Sequence, residues 1–156
     1  MSMVSAILSI WMVVGSFVAQ FTQLKQSPMF DTPQKSRGVL TYREPDYLRW
    51  EYVEPQPLVW ELEGNKGNMS RQIKSMVMLI RESIKGDLEK AQNVFDLTVQ
   101  DNVIVMVPKK KELKTVFESV RVTLNPATQI ADCVEMIETG GDKTIIYFTD
   151  IQYLEP

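Results

Sequence analysis

The sequence predicts an α+β fold in which a strongly curved antiparallel β-sheet holds apolar helices in its concave face. Short segments rich in Val, Thr, Tyr, Trp and Ile recur between turn residues from about residue 38 to residue 151, which is typical of strands. Two longer segments instead carry apolar residues at helical spacing. The chain has 156 residues, the usual size of one domain, so we expect a single domain over residues 1–156.

The first element is predicted to be a helix over residues 3–25. Residues 1–24 carry no charge, and on a helical wheel their Ser and Gln side chains gather in one narrow stripe surrounded by apolar residues. We therefore expect this helix to lie inside the fold. A membrane span or a signal peptide is the alternative interpretation, but Met1–Val4 lack the basic residues of an export signal, and polar residues recur too regularly for a span.

Eight strands are predicted in the rest of the chain. They are Gly38–Arg43, Leu48–Tyr52, Leu58–Glu63, Val94–Gln100, Asn102–Pro108, Ser119–Leu124, Ile130–Glu138 and Lys143–Ile151. Several connections between them are only a few residues long, which suits hairpins and therefore antiparallel pairing.

Two helical segments interrupt these strands. The first covers about residues 69–85, and its apolar positions recur every three or four residues on one face. The second is a shorter turn or helix over Lys109–Phe117. Its Lys109–Lys111 run is most simply a solvated surface, and docking to an acidic surface or to anionic headgroups is the alternative.

Composition excludes several function classes. The sequence contains no His and a single Cys, Cys133, so histidine catalysis, catalytic triads and Cys-rich metal sites are not expected. The formal net charge of -3 gives no general attraction to nucleic acid. We therefore expect no metal, no cofactor and no nucleic-acid partner, and Cys133 is expected to act as a small hydrophobic residue.

Three stretches resemble the outer-membrane lipoprotein carrier (LolA) family in order and spacing. They are residues 17–23 (FVAQFTQ), 36–40 (SRGVL) and 45–52 (PDYLRWEY), and the likeness continues through residues 86–88, 108–117 and 141–144. The resemblance implies an unclosed barrel lidded by helices, with a hydrophobic cavity that shelters lipoprotein acyl chains across the periplasm. It also implies that an inner-membrane transporter supplies the acylated cargo and an outer-membrane receptor accepts it. The expected location is therefore the periplasm, in a mature form that does not span the membrane.

Periodicity and this resemblance together predict the residues that line the cavity. They are Phe17, Phe21, Trp50, Leu58, Trp60, Met76 and Ile80. Methionine adapts to apolar ligands of varied shape, although ordinary core packing is the simpler interpretation of Met residues on helices and strands.

A functionally important arginine of the family immediately precedes the proline, where this sequence has Glu44, with Arg43 one residue earlier. Arg43 and Arg49 are candidate rim residues that contact a headgroup. The alternative is that Arg49 and Glu51 form a solvated pair on the outer face of the sheet, because residues alternate between faces along a strand.

Three functions are compatible with these patterns. The first is a carrier without covalent chemistry, and the second is a binding or sensing module for a small amphiphile such as a glycolipid or fatty acid. The third is an enzyme that uses carboxylates such as Glu51 and Glu61. No nucleophile elbow, phosphate loop or dinucleotide fingerprint is present, so we expect no catalytic site.

Overall fold

The structure is a computed structural model that describes residues 16–44, 47–64, 66–68, 92–127 and 131–154. Ten strands are seen in these ranges. They are β1 (Phe17–Gln26), β2 (Gln34–Arg43), β3 (Tyr47–Glu54), β4 (Leu58–Glu63), β5 (Lys66–Gly67), β6 (Phe95–Gln100), β7 (Val103–Pro108), β8 (Phe117–Leu124), β9 (Ala131–Glu138) and β10 (Lys143–Tyr153). A four-residue helix, α1 (Lys111–Lys114), joins β7 to β8. Within the described ranges, no helix has the length and hydropathy needed to cross a membrane.

All ten strands belong to one curved, unclosed antiparallel sheet, as predicted. The strand order is β5-β4-β3-β2-β1-β10-β9-β8-β7-β6. The sheet therefore consists of two meanders, β1–β5 and β6–β10, joined where the first strand pairs with the last. Consecutive strands are neighbours within each meander, so the short connections between them act as hairpin turns.

The predicted helix over residues 3–25 is wrong for residues 17–25, which belong to β1. Phe17, Ala19, Phe21 and Gln23 are buried, whereas the residues between them are more exposed, which is the two-residue period of a strand. A mostly apolar segment fits both periods, and here backbone pairing with β2 and β10 on both sides decides the conformation. Residues 3–15 lie outside the described ranges.

The other helix predictions have different outcomes. The helix over residues 69–85, with Met76 and Ile80, lies outside the described residues, so a helical lid stays a prediction. The segment Lys109–Phe117 contains a helix, but it is limited to α1, and Phe117 already begins β8. The eight predicted strands are present, with ends that differ by up to four residues, whereas β1 and the two-residue β5 were not predicted as strands.

The two faces of the sheet differ in polarity. One face, called the apolar face below, is formed by buried residues that alternate along the strands. Its largest members are Phe17, Phe21, Leu40, Tyr42, Leu48, Trp50, Phe95, Met106, Phe117, Met136 and Phe148. The opposite face, called the outer face, carries exposed or half-buried side chains such as Arg49, Glu51 and Tyr147. The hydrophobic effect therefore favours one face for burial along nearly every strand.

Candidate ligand-binding site

Strand register arranges the side chains of β1–β4 into four rows on the apolar face. From one end of the strands to the other, the rows are Phe17, Tyr42, Leu48 and Leu62; Ala19, Leu40, Trp50 and Trp60; Phe21, Gly38, Tyr52 and Leu58; and finally Gln23 and Ser36. The first three rows are aromatic and aliphatic, whereas the last row is polar. On this half of the sheet, the side chains of the apolar face therefore change from hydrophobic to polar along the strand direction.

A stack of aromatic rings forms the centre of these rows. The ring centroids of Phe21 and Trp50 lie 3.8 Å apart, and the two ring planes make an angle of 18°, so the rings are stacked. The Tyr52 ring packs edge-on against both rings, with centroid distances of 5.5 Å to Phe21 and 6.0 Å to Trp50. The Trp50 indole N–H is buried and has no hydrogen-bond partner among the described residues, so this apolar cluster contains one donor that a ligand carbonyl oxygen would satisfy.

Gly38 makes this stack possible. A Cβ at position 38 would lie 2.6 Å from Cζ of Phe21 and would overlap the carbonyl oxygen of Glu51. The Phe21 ring thus occupies the space above β2 that any other side chain would fill.

A pocket of about 320 Å³ lies at the polar end of the rows. It is lined by Gln23, Ser36, Tyr52, Glu54, Pro55, Gln56, Pro57 and Leu58, and is called the polar-end pocket below. The Tyr52 hydroxyl donates a hydrogen bond to Oε1 of Gln23 at 2.8 Å. Gln23 is only 7% exposed, so its amide group is held in place beneath the pocket.

Five of the seven predicted lining residues lie together on the apolar face. Phe17, Phe21 and Trp50 are buried, Trp60 is partly buried, and Leu58 is 49% exposed. Their role in holding an acyl chain stays a prediction. Met76 and Ile80 lie outside the described residues.

Both predicted rim arginines lie on the outer face. Arg49 Nη2 is 3.7 Å from Oε2 of Glu51, so the alternative of a solvated pair on that face is confirmed. Arg43 ends β2, is exposed, and is the register partner of Tyr47. Either arginine would therefore have to reach a headgroup around the end of the sheet, and this role stays a prediction. Glu44, the residue before Pro45 in the sequence, donates its backbone N–H to Oγ of Ser16 at 2.9 Å.

The two candidate catalytic carboxylates also lie on the outer face, away from the polar-end pocket. Glu61 Oε2 accepts a hydrogen bond of 2.7 Å from the Tyr47 hydroxyl, and this bond, with some burial, raises the pKa of Tyr47 above its ordinary value. Glu51 is engaged by Arg49 instead. In the part of the chain that the structure describes, no group of three His, Cys, Asp or Glu side chains is placed to hold a metal ion.

The polar-end pocket was not predicted from the sequence. The feature of the sequence that indicates this pocket is the alternation of side chains along β1, where Gln23 follows Phe17, Ala19 and Phe21 on one face. That signal is readable only once the segment is treated as a strand, because the helical interpretation places Gln23 in a solvated stripe.

Comparisons with known proteins agree with this architecture. The model of the family described as outer membrane lipoprotein carrier protein LolA matches residues 13–72, which include β1–β5. The resemblance noted in the sequence is therefore confirmed over this part of the chain. No curated protein matches the chain.

Several solved structures are similar to this chain at low sequence identity. The complex of MucA and MucB from Pseudomonas aeruginosa matches with a TM-score of 0.56 and 11% identity, covering 94% of this chain and 54% of that chain. A structure of MucB matches with a TM-score of 0.52 and 11% identity, covering 97% and 58%. The LolA superfamily protein NE2245 from Nitrosomonas europaea has 8% identity and a TM-score of 0.44, covering 99% and 94%. The chain thus spans about half the length of the MucB chains, and the likeness to them shows a common fold.

Proposed function

We propose that this LolA-like protein is a periplasmic carrier that shelters the acyl chains of lipoproteins and delivers them to the outer membrane without covalent chemistry. The observation that carries the proposal is the aromatic apolar face of β1–β4, which ends in a pocket with polar side chains. An acylated anchor has the same division into apolar chains and a polar linkage. The match to a lipoprotein-carrier family over residues 13–72 supports this assignment.

The driving force for binding is the removal of alkyl chains from water. Each CH₂ group transferred into an apolar site is favourable by about 0.8 kcal/mol, so a long acyl chain gains a large free energy from a modest apolar surface. Trp60 and Leu58 remain partly or largely exposed beside the buried Trp50, and they offer apolar area that a ligand would cover. Release into water is correspondingly unfavourable, so delivery requires a receptor with higher affinity.

The proposed lining consists of two groups. Phe17, Phe21, Trp50, Leu58 and Trp60 contribute from the sheet. Met76 and Ile80 contribute from the predicted helix over residues 69–85, which connects the two outermost strands, β5 and β6, in sequence. We further propose that an inner-membrane transporter supplies the cargo and that an outer-membrane receptor accepts it. Arg43 and Arg49 are the proposed headgroup contacts for a ligand seated in the opposite direction, because both lie towards the Phe17 end of the rows and not at the polar-end pocket.

The experiment that tests this function is capture of acylated cargo by the full chain. The purified protein is incubated with a triacylated lipopeptide and with its deacylated form, and the complexes are measured by native mass spectrometry. We expect retention of the acylated form alone. Trp60→Gln should weaken binding at least about tenfold, because it replaces partly exposed apolar area with an amide.

Tyr147→Gln is the matched control, since Tyr147 is an exposed aromatic residue on the outer face of β10. This variant should bind like the original chain. The carrier function is excluded if no acylated peptide is retained, or if the two variants lose affinity equally.

A module that binds or senses a small amphiphile is the second candidate function. The volume of the polar-end pocket, about 320 Å³, lies at the lower end of the range for small-molecule sites, and this favours a compact headgroup. Mass spectrometry of material bound in the native envelope separates the two candidates. A carrier yields acylated proteins, whereas a sensor yields a free glycolipid or fatty acid.

A further inference from the structure

We infer that the polar-end pocket binds the uncharged ester, amide or glyceryl portion of an acylated ligand and discriminates against a phosphate headgroup. The inference rests on the proposed function, since it assumes that acyl chains occupy the aromatic rows. It adds the chemical class of the polar part of the ligand and the residues that select it.

The position of the pocket relative to the rows is the first argument. Tyr52 and Leu58 belong to the third row and also line the pocket, and the polar pair of Gln23 and Ser36 follows directly. A ligand whose chains lie along the first three rows therefore places its polar linkage among these side chains.

The hydrogen-bonding groups of the pocket are the second argument. The Tyr52 hydroxyl donates a hydrogen bond to the side-chain carbonyl oxygen of Gln23. The NH₂ group of the same side-chain amide carries two N–H donors. Ser36 contributes a hydroxyl that can donate or accept. N–H and O–H donors of this kind match the carbonyl oxygens of esters and amides, and the buried indole N–H of Trp50 adds a donor on the neighbouring row.

The charge of the pocket is the third argument. Among the described residues that line the pocket, Glu54 is the charged one and none is Lys or Arg. Phosphate recognition generally depends on such cations. Arg37 Nη2 lies 3.0 Å from Oε1 of Glu54, and with Lys35 it borders a separate cavity of about 380 Å³ on the other side of Glu54. The guanidinium of Arg37 is thus engaged by the Glu54 carboxylate, and an anionic headgroup would meet that carboxylate in the pocket lining.

Competition binding with lipids that share their acyl chains tests the inference on the full chain. Diacylglycerol, a diacylated or triacylated lipopeptide, and phosphatidic acid displace a fluorescent acyl probe. We expect diacylglycerol and the lipopeptides to compete at least about tenfold better than phosphatidic acid. Ser36→Ala and Gln23→Leu should each weaken diacylglycerol binding by about two- to tenfold, the effect of one hydrogen bond, without weakening phosphatidic acid.

Glu54→Lys provides a test by gain of function, because it adds a cation to the lining and should reverse the preference toward phosphatidic acid. Thr22→Ala, on the opposite side of β1, is the matched control for Ser36→Ala and should change neither affinity. Ser36→Ala also keeps the test valid if Gln23→Leu fails to fold, since Ser36 lies nearer the protein surface.

The outcomes separate this inference from the proposed function. Probe binding with equal competition by all lipids, or with preference for phosphatidic acid, overturns the assignment of the pocket and leaves a carrier of acyl chains. If diacylglycerol competes and the lipopeptides do not, the pocket assignment stands and the lipoprotein cargo is excluded. A chain that binds no acyl probe loses both the proposed function and this inference.

Discussion

The two meanders of the sheet share one antiparallel design but fill their apolar faces with different side chains. In β1–β5 the face is mainly aromatic, with Phe21, Trp50 and Tyr52 in mutual contact. In β6–β10 it is mainly aliphatic, and its central side chains are completely buried. These are Met106, Val120, Val122, Val134, Met136 and Ile146.

This difference has a physical consequence. The centres of both faces are buried, but the aromatic face also ends in a pocket with polar side chains. The polar-end pocket of about 320 Å³ is bordered by the Tyr52 ring, by other residues of β1–β4 and by the turn between β3 and β4. The family match covers the same meander. We therefore assign ligand binding to β1–β5 and a purely structural role to the apolar face of β6–β10.

Trp50→Ala is expected to produce the largest effect. Removing this fully buried indole deletes the stack with Phe21 and leaves a cavity, so the free energy of unfolding should fall by about 3 to 5 kcal/mol. Urea denaturation at constant m-value measures the loss, and acyl-probe binding should be lost as well. A variant that retains full probe affinity would contradict the assignment of binding to the aromatic meander.

Met136→Ala applies a similar deletion to the aliphatic meander. Met136 is fully buried on β9, so we expect a loss of about 2 to 5 kcal/mol in the free energy of unfolding. Affinity for the acyl probe should stay within about twofold of the original value, measured where the variant is fully folded. A large drop in affinity would show that both meanders bind the ligand, which breaks the proposed division.

Gly38→Ala tests the ring stack itself. The added methyl group would overlap Glu51 and press against the Phe21 ring, so overpacking should cost about 1 to 3 kcal/mol. The aromatic near-ultraviolet circular dichroism should weaken, because the Phe21 ring must move away from Trp50. Val39→Ala, which alters the neighbouring residue on the outer face, is the control and should leave that signal unchanged.

The aliphatic meander was the easier half to predict from the sequence. Val120, Val122, Val134 and Met136 alternate with polar residues between clear turn signals, so periodicity locates β8 and β9 closely. The exposed pair Arg49 and Glu51 was also placed correctly, because alternation along β3 depends on local geometry alone.

The aromatic meander was harder to predict because its first strand depends on distant partners. The segment FVAQFTQ fits a helix as well as a strand, and the choice is made by pairing with residues 36–42 and 146–153. That pairing also places Gln23 next to Ser36 and creates the polar-end pocket. Glu54 at the end of β3 and the turn residues Pro55–Pro57 complete the pocket, and a turn signal alone does not show which face such residues border.

The smallest effect is expected at Cys133, on the outer face of the aliphatic meander. Burial raises the pKa of its thiol to about 11, with a contribution from the carboxylates of Glu135 and Asp132. In the unfolded chain the thiol ionises near its ordinary value of 9.0. Below that pH both states are protonated, and from about pH 9 to 11 the unfolded state loses its proton first, so folding stability falls as the pH rises.

Urea denaturation of the original chain and of Cys133→Ala over this pH range isolates the effect, since all other titrations cancel in the difference. Because Cys133 is only partly buried, solvent screening should keep the change below about 1 kcal/mol. A difference that is independent of pH would mean that the thiol is as hydrated in the folded chain as in the unfolded one. The outer face of β9 would then be more open to solvent than the partial burial of Cys133 indicates.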